Sequence, residues 1–265
     1  MLIGMVHLGA LPGSPGAAGQ SAEEAIWPVI AAALRDAKSI FEGGMDGLIL
    51  ENFGDTPFYP HQVPAITIAA MTLVAGHVSE LALDASSRPF LGINVLRNDA
   101  SAALAIAATC GFHGIRVNVH TGVMASDQGI LTGQAHETLR ERARLESPVA
   151  VLADVLVKHA EPLGSSQPDI GSVAKETVER GVADAIIVSG RATGSPTDTV
   201  SIAAVRQALP STPILIGSGA SLDTIKAQLE HADGVIIGTA IKENGDVHAA
   251  VEIDRVRAFV EAMAP

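Results

Sequence analysis

Short runs of aliphatic residues alternate along the whole chain with longer stretches in which apolar positions return every three or four residues. The short runs read as strands at Leu2–His7, Gly47–Glu51, Phe90–Leu96, Gly114–Asn118, Val149–Val157, Ala185–Ser189, Ile214–Gly217 and Val235–Gly238. Between them the spacing predicts helices at Ala22–Glu42, Thr67–Ala82, Ala100–Cys110, Gln134–Leu145, Gly171–Arg180, Thr197–Ala208 and Ser221–Glu230, with Val251–Met263 closing the chain. Strict alternation of strand and helix predicts parallel βαβ units. Eight such units in 265 residues fit one (β/α)8 barrel, a TIM barrel forming a single domain over residues 1–265.

The connections are of two kinds. Before several strands a short hinge recurs, as in Gly43-Gly-Met-Asp-Gly47, Cys110-Gly-Phe-His-Gly114, Arg180-Gly-Val-Ala-Asp184 and His231-Ala-Asp-Gly234. Glycine there is expected to take the left-handed conformation that ends a helix. The connections after strands, Leu8–Ser21, Asn52–Val63, Val119–Gly133, His159–Ile170 and Gly190–Pro196, are long and rich in Gly, Pro, Ser and His. One end of the barrel is therefore trimmed and the other elaborated, as a functional C-terminal face requires. A doubly wound dinucleotide fold would want a glycine fingerprint entering a helix after the first strand. The chain instead has Leu8-Gly-Ala-Leu-Pro-Gly-Ser-Pro-Gly16 there, with prolines at the would-be helix start.

The last two strands run into small-residue turns, Gly217-Ser-Gly219 and Gly238-Thr239. Glycine lets main-chain N–H groups approach an anion closely, and many barrels hold a phosphate with the loops after strands seven and eight. Gly217, Ser218, Gly219, Gly238 and Thr239 are the candidate phosphate-binding residues.

Composition narrows the picture. Hydrophobic residues make up 48% and charged residues 17%, enough for a large core. A net charge of -12 argues against nucleic acid as a partner. The single cysteine, Cys110, excludes an intramolecular disulfide and fits a reducing cytoplasm as a packed thiol. The longest apolar stretches, such as Val63 to Gly76, are interrupted and too short for an integral membrane segment.

Polar residues stand where buried strands end, and isolated burial there costs a few kcal/mol. They are His7, Glu51-Asn52, Asn94, Arg116 and Asn118, Asp154 with Lys158 and His159, and Ser189 with Arg191 just beyond. Their hydrogen-bonding to one another is the alternative to function, and for Asn94 and Asn118 the two readings weigh equally. Buried carboxylates are rare unless paired, catalytic or metal-bound, which sharpens Glu51 and Asp154. With period two, Asp154, Leu156 and Lys158 share one face, so Lys158 is a salt-bridge partner, charge clamp or proton donor ahead of a Schiff-base nucleophile. The catalytic candidates are His7, Glu51, Asp154 and Lys158. The substrate-binding candidates are Asn94, Asn118, Ser189 and Arg191, the last as an anion clamp. No zinc-type spacing occurs, so no metal site or cofactor is assigned; Mg²⁺ held by Glu51, Asp154 and a substrate phosphate is the minority reading. Phe53, Phe58 and Tyr59 concentrate aromatic rings in one loop, as a stacking or oligomer-contact surface would.

Four segments, Gly4-Met-Val-His-Leu-Gly-Ala-Leu-Pro-Gly-Ser-Pro15, Glu51-Asn-Phe-Gly-Asp55, Asp154-Val-Leu-Val-Lys-His159 and Ser189-Gly-Arg-Ala-Thr-Gly194, resemble the BtpA/SgcQ family over nearly the whole chain. The resemblance implies a ribulose-phosphate-binding type of barrel with these segments around its mouth. The last strand pair also looks like tryptophan synthase α-subunits. The family takes its name from a cyanobacterial protein implicated in photosystem I accumulation, so the resemblance also implies a rival role as a non-enzymatic assembly or stability factor for a membrane complex. The favoured expectation is an enzyme, an isomerase, lyase or hydrolase, acting on a phosphorylated small molecule such as a sugar phosphate or nucleotide. A homo-oligomer is expected, as for many such barrels.

Overall fold

The structure, a computed structural model, describes residues 1–85, 88–164, 169–190 and 197–263. Eight parallel strands close into a barrel in which chain neighbours are spatial neighbours. They are β1 Leu2–His7, β2 Gly47–Glu51, β3 Phe90–Asn94, β4 Gly114–Val117, β5 Ala150–Val155, β6 Ala185–Val188, β7 Ile214–Ile216 and β8 Gly234–Ile237. The helices are α1 Ala22–Glu42, α2 Ala65–Leu83, α3 Ala100–Cys110, α4 Ala135–Arg144, α5 Ile170–Glu179, α6 Thr199–Ala208, α7 Ile225–Leu229 and α8 Ile253–Ala262. Helix starts follow side-chain caps: Ser21 and Glu24 form a capping box on α1, and Asp99, Asp169 and Asp198 cap α3, α5 and α6.

Side chains alternate across each strand, so one set fills the barrel and the other meets the helices. Ile3, Met5, Ile49, Leu152, Ala185, Ile187, Leu215 and Ile236 form the interior layer, packed with Phe90 and Ala150. Val6, Leu48, Leu50, Ile93, Ile115, Val151, Ile186, Ile214 and Val235 belong to the larger core outside it. His7, Glu51, Asn94, Arg116 and Asp154 continue the interior set by steps of two, which brings them to the C-terminal mouth. The register sharpens this, because His7 pairs with Glu51, Glu51 with Asn94 and Asn94 with Arg116 across β1 to β4.

Several sequence expectations need correction. The loops after β4 and β5 contain a three-stranded antiparallel sheet of Val123–Ser126, Gly129–Thr132 and Ala160–Pro162 over Val119, Met124, Leu131 and Val157. Its third strand comes from a distant loop, which local pattern does not reveal. β5 stops at Val155 because Leu156 turns into the left-handed region at φ 50°. The helix expected at Ser221–Glu230 is only Ile225–Leu229, since Ser221 and Thr224 hydrogen-bond each other in a preceding turn. Among the hinges, Gly44 and Gly111 are left-handed, yet after α5 Val182 takes that role at φ 55°. Gly181 is needed there for room, since a Cβ would lie 2.5 Å from the Thr177 carbonyl oxygen.

Most of the apolar stretch Val63 to Gly76 lies in a helix that runs on to Leu83. α2 has 19 residues and is long and apolar enough to cross a membrane by length and composition. In the fold it buries Met71, Val74, Ala75 and Val78 and leaves Ile66, Leu73 and Leu83 exposed.

Candidate active site at the barrel mouth

Asp154 is the most heavily bonded group at the mouth. Arg116 grips it in two bonds, Nε to Oδ2 and Nη2 to Oδ1, both 2.9 Å. Asn118 Nδ2 donates to Oδ2 at 2.9 Å and Ser189 Oγ to Oδ1 at 3.2 Å. Asn94 Nδ2 donates to the Arg116 carbonyl at 3.0 Å and to Asn118 Oδ1 at 3.3 Å. Burial opposes the Arg116 charge, but attraction to Asp154 and the hydrogen bonds outweigh it and raise its pKa. Gly217 completes the layer, since a side chain there would run into Ser189 Oγ and the Arg116 guanidinium.

Glu51 and Lys158 are held differently. Both line a cavity of about 280 Å³ with His7, Phe53, Arg116 and the loops after β7 and β8. The Glu51 carboxyl is buried, and His7 Nε2 stands 3.8 Å from it, beyond hydrogen-bond range. Burial raises its pKa, against the pull of Arg116, Lys158 and Arg97. The Lys158 ammonium makes no hydrogen bond or ion pair among the described residues, and burial, assisted by Arg116, lowers its pKa. The main chain carrying it is fixed, because Arg97 Nη2 donates to the Lys158 carbonyl at 2.7 Å. Lys158 thus reaches the cavity through a turn flanked by left-handed Leu156 and His159, not by strand alternation.

Burial, with repulsion from Lys242, Lys158, Arg116 and His248, lowers the His7 pKa to about 3, so its imidazole is neutral near pH 7. The ring lies 4.8 Å from Phe53, which in turn lies 5.8 Å from His248. His7 Nδ1, Asn94 Oδ1 and Ser218 Oγ are buried without a hydrogen-bond partner. Phe58 and Tyr59 do not join Phe53; they line a separate groove with Pro57, Pro60, Pro64 and Ile66.

Gly217, Ser218, Gly219, Gly238 and Thr239 all border the cavity. Gly219 is left-handed at φ 72°. No turn or loop carbonyl among the described residues accepts from the N–H groups of Ser218, Gly219, Gly238 or Thr239. Thr197 Oγ1 holds the Ser218 carbonyl at 2.8 Å, and Gln228 Nε2 holds the Thr197 carbonyl at 3.2 Å. Beyond the second turn, buried Lys242 pairs with Asp36 at 2.8 Å, and Asp36 also accepts from the Val251 N–H, which ties this segment to α1.

The fold therefore gathers His7, Glu51, Lys158 and the glycine loops at one cavity and places Asp154, Asn94, Asn118 and Ser189 in the network beside it. Arg191 lies outside the described residues. The proposed Mg²⁺ pair does not fit, because both Asp154 oxygens hold Arg116; no cluster of three or more His, Cys, Asp or Glu suited to a metal occurs among the described residues. Sequence reasoning saw Arg116 only as one polar strand end and missed Arg97 and Lys242. Their partners lie 38, 61 and 206 positions away, so no local pattern marks them.

Among solved structures, orotidine 5'-phosphate decarboxylase from Pyrococcus horikoshii OT3 superposes with a TM-score of 0.59 over 99% of both chains at 14% identity. At that identity the likeness shows the barrel fold alone. In sequence, the photosystem I biogenesis protein BtpA of Synechocystis sp. is 46% identical over 99% of this chain and 88% of its own length. The putative sgc region protein SgcQ of Escherichia coli is 33% identical over 98% of this chain and 92% of its own. With residues 1–265 matching the family throughout, this barrel belongs to the BtpA family.

Proposed function

We propose that the chain is an enzyme acting on a phosphorylated small molecule that carries a carbonyl, a sugar phosphate being the favoured class. The observation that carries this reading is the pair of Glu51 and Lys158, both lining one cavity, their carboxyl and amine both without a hydrogen bond among the described residues, and with pKa values pushed toward each other. Titratable groups with that arrangement mark acid and base roles.

The phosphate would sit against the N–H groups of Ser218, Gly219, Gly238 and Thr239, with the unpartnered Ser218 hydroxyl as a further ligand; the Gly217 N–H is already donated to the Val188 carbonyl at 2.8 Å, so Gly217 contributes room and not a donor. Glu51 would move a proton at carbon, where burial makes its carboxylate a stronger base than usual. Arg116 would stabilise the negative charge that develops on the carbonyl oxygen, with Lys158 beside it in the same cavity. Asp154 becomes a positioning residue for Arg116, because all its bonds go to the protein. Neutral His7 would act as a hydrogen-bonding group through Nδ1, which lacks a partner. Proton transfer next to a carbonyl serves isomerisation and carbon–carbon lyase chemistry, and these are favoured over hydrolysis.

Thermal unfolding against phosphate, sugar phosphates, nucleotides and their unphosphorylated counterparts tests the reading. A ligand at about one hundred times its Kd adds about 2.7 kcal/mol. Stabilisation by phosphorylated compounds alone, lost in Gly219→Asp, is expected; indifference to every phosphorylated compound overturns it.

A second reading, participation in assembly of a membrane complex, is favoured by the relative named for photosystem I biogenesis and by the exposed Ile66, Leu73 and Leu83 of α2. Co-sedimentation with lipid vesicles, lost on Leu73→Glu and Leu83→Glu, would support it over the enzymatic one.

A further inference from the structure

The chain has five lysines, and four of them are accounted for. Lys38 and Lys175 pair with Glu42 and Glu179 on helix surfaces, Lys226 is exposed, and buried Lys242 is bonded to Asp36. Lys158 is the remaining one. Asp154, the carboxylate that strand period would give it, is occupied by Arg116, Asn118 and Ser189. A half-buried amine thus stands in the cavity with its backbone pinned by Arg97, a guanidinium nearby and an unbonded carboxyl across from it. Desolvation and a neighbouring cation are the two devices that keep a lysine amine neutral and nucleophilic.

We propose that Lys158 is a catalytic nucleophile that forms an imine with the carbonyl of the phosphorylated substrate, an inference that rests on the reading of this cavity as a sugar-phosphate site. The neutral amine nitrogen attacks the carbonyl carbon; a C–N bond forms as the C=O π pair moves to oxygen. The amine loses one proton as oxygen gains one, with Glu51 as carrier, giving a carbinolamine. Its hydroxyl takes a second proton and leaves as water while the nitrogen lone pair forms C=N. The net step consumes one proton, releases one water and leaves one positive charge on the iminium nitrogen. Glu51 as carboxylate then removes a proton from the adjacent carbon, and that electron pair flows into the iminium to give an enamine. No electron is gained or lost, so no oxidant or reductant is required.

The test is trapping with sodium borohydride. The full chain is incubated with dihydroxyacetone phosphate or ribulose 5-phosphate, with and without borohydride, then digested and mapped by mass spectrometry. Hydride converts the imine to a secondary amine, adding the mass of the ligand less one oxygen atom. The expected result is that increment on the peptide containing Lys158, competed by inorganic phosphate and absent in Lys158→Arg. Labelling scattered over Lys38, Lys175 and Lys226, or no label with either ligand, overturns the proposal. Mapping of the unaltered chain decides even where Lys158→Arg folds poorly. Thermal stabilisation by the same two ligands, measured alongside, separates the failures. Stabilisation without a label overturns the imine alone, and no stabilisation overturns the sugar-phosphate site with it.

Discussion

Asp154 and Glu51 stand at the ends of barrel strands, 6% and 7% exposed, and the two sides of the mouth use them in opposite ways. On the β4–β6 side, Asp154 accepts four hydrogen bonds and faces a guanidinium in a bidentate grip. On the β1–β2 side, the Glu51 carboxyl accepts none among the described residues and meets only His7 at 3.8 Å. Burial is equal, so burial does not assign the roles. Hydrogen-bond saturation does: a satisfied charge holds shape, while an unsatisfied one is left for a ligand and costs stability until the ligand arrives.

The comparison breaks most visibly at Arg116. Arg116→Ala strands Asp154 as a buried charge, and the loss should reach about 3–5 kcal/mol in urea unfolding. A loss under about 1 kcal/mol would mean that the network is not the scaffold it looks like.

His7 sharpens the contrast through pH. Its folded pKa of about 3 lies below the ordinary imidazole value of 6.5, so the unfolded chain binds the proton first. Stability is thus lost as pH falls from 6.5 toward 3, by at most about 1.4 kcal/mol per unit. Glu51 acts in the other sense, since its raised pKa favours the fold below 4.5 and withdraws that help as pH rises through the folded value. His7→Gln should flatten the acid-side decline in unfolding free energy. An unchanged decline would place the sensitivity elsewhere.

The smallest effect is expected at Glu51 itself. Glu51→Gln removes a desolvated carboxyl that has no bond to lose, so stability at neutral pH should change by less than about 1 kcal/mol or rise. The same variant should abolish turnover of any sugar phosphate that stabilises the chain. A large destabilisation would return Glu51 to the structural side of the comparison.

Much of the site's roster was readable from strand alternation. His7, Glu51, Asn94, Arg116 and Asp154 sit in phase with the apolar residues of their strands, and that phase alone points them inward. The glycine turns after β7 and β8 were equally visible, because few other residues allow close main-chain approach. What the pattern misassigned was partnership. Asp154 and Lys158 look like a pair at spacing four, yet Arg116, 38 positions away, takes the carboxylate and β5 ends before Lys158. Arg97 and Lys242 carry no local signature at all.

Sequence by itself determined the barrel, its order of strands and helices, and which residues face its interior, because alternation, helical spacing and capping are short-range rules written in adjacent positions. Tertiary structure alone decided which buried charges are satisfied and which are left open, because competition among Asp154, Glu51, Arg116 and Lys158 depends on distances set only when the strand ends close into a ring.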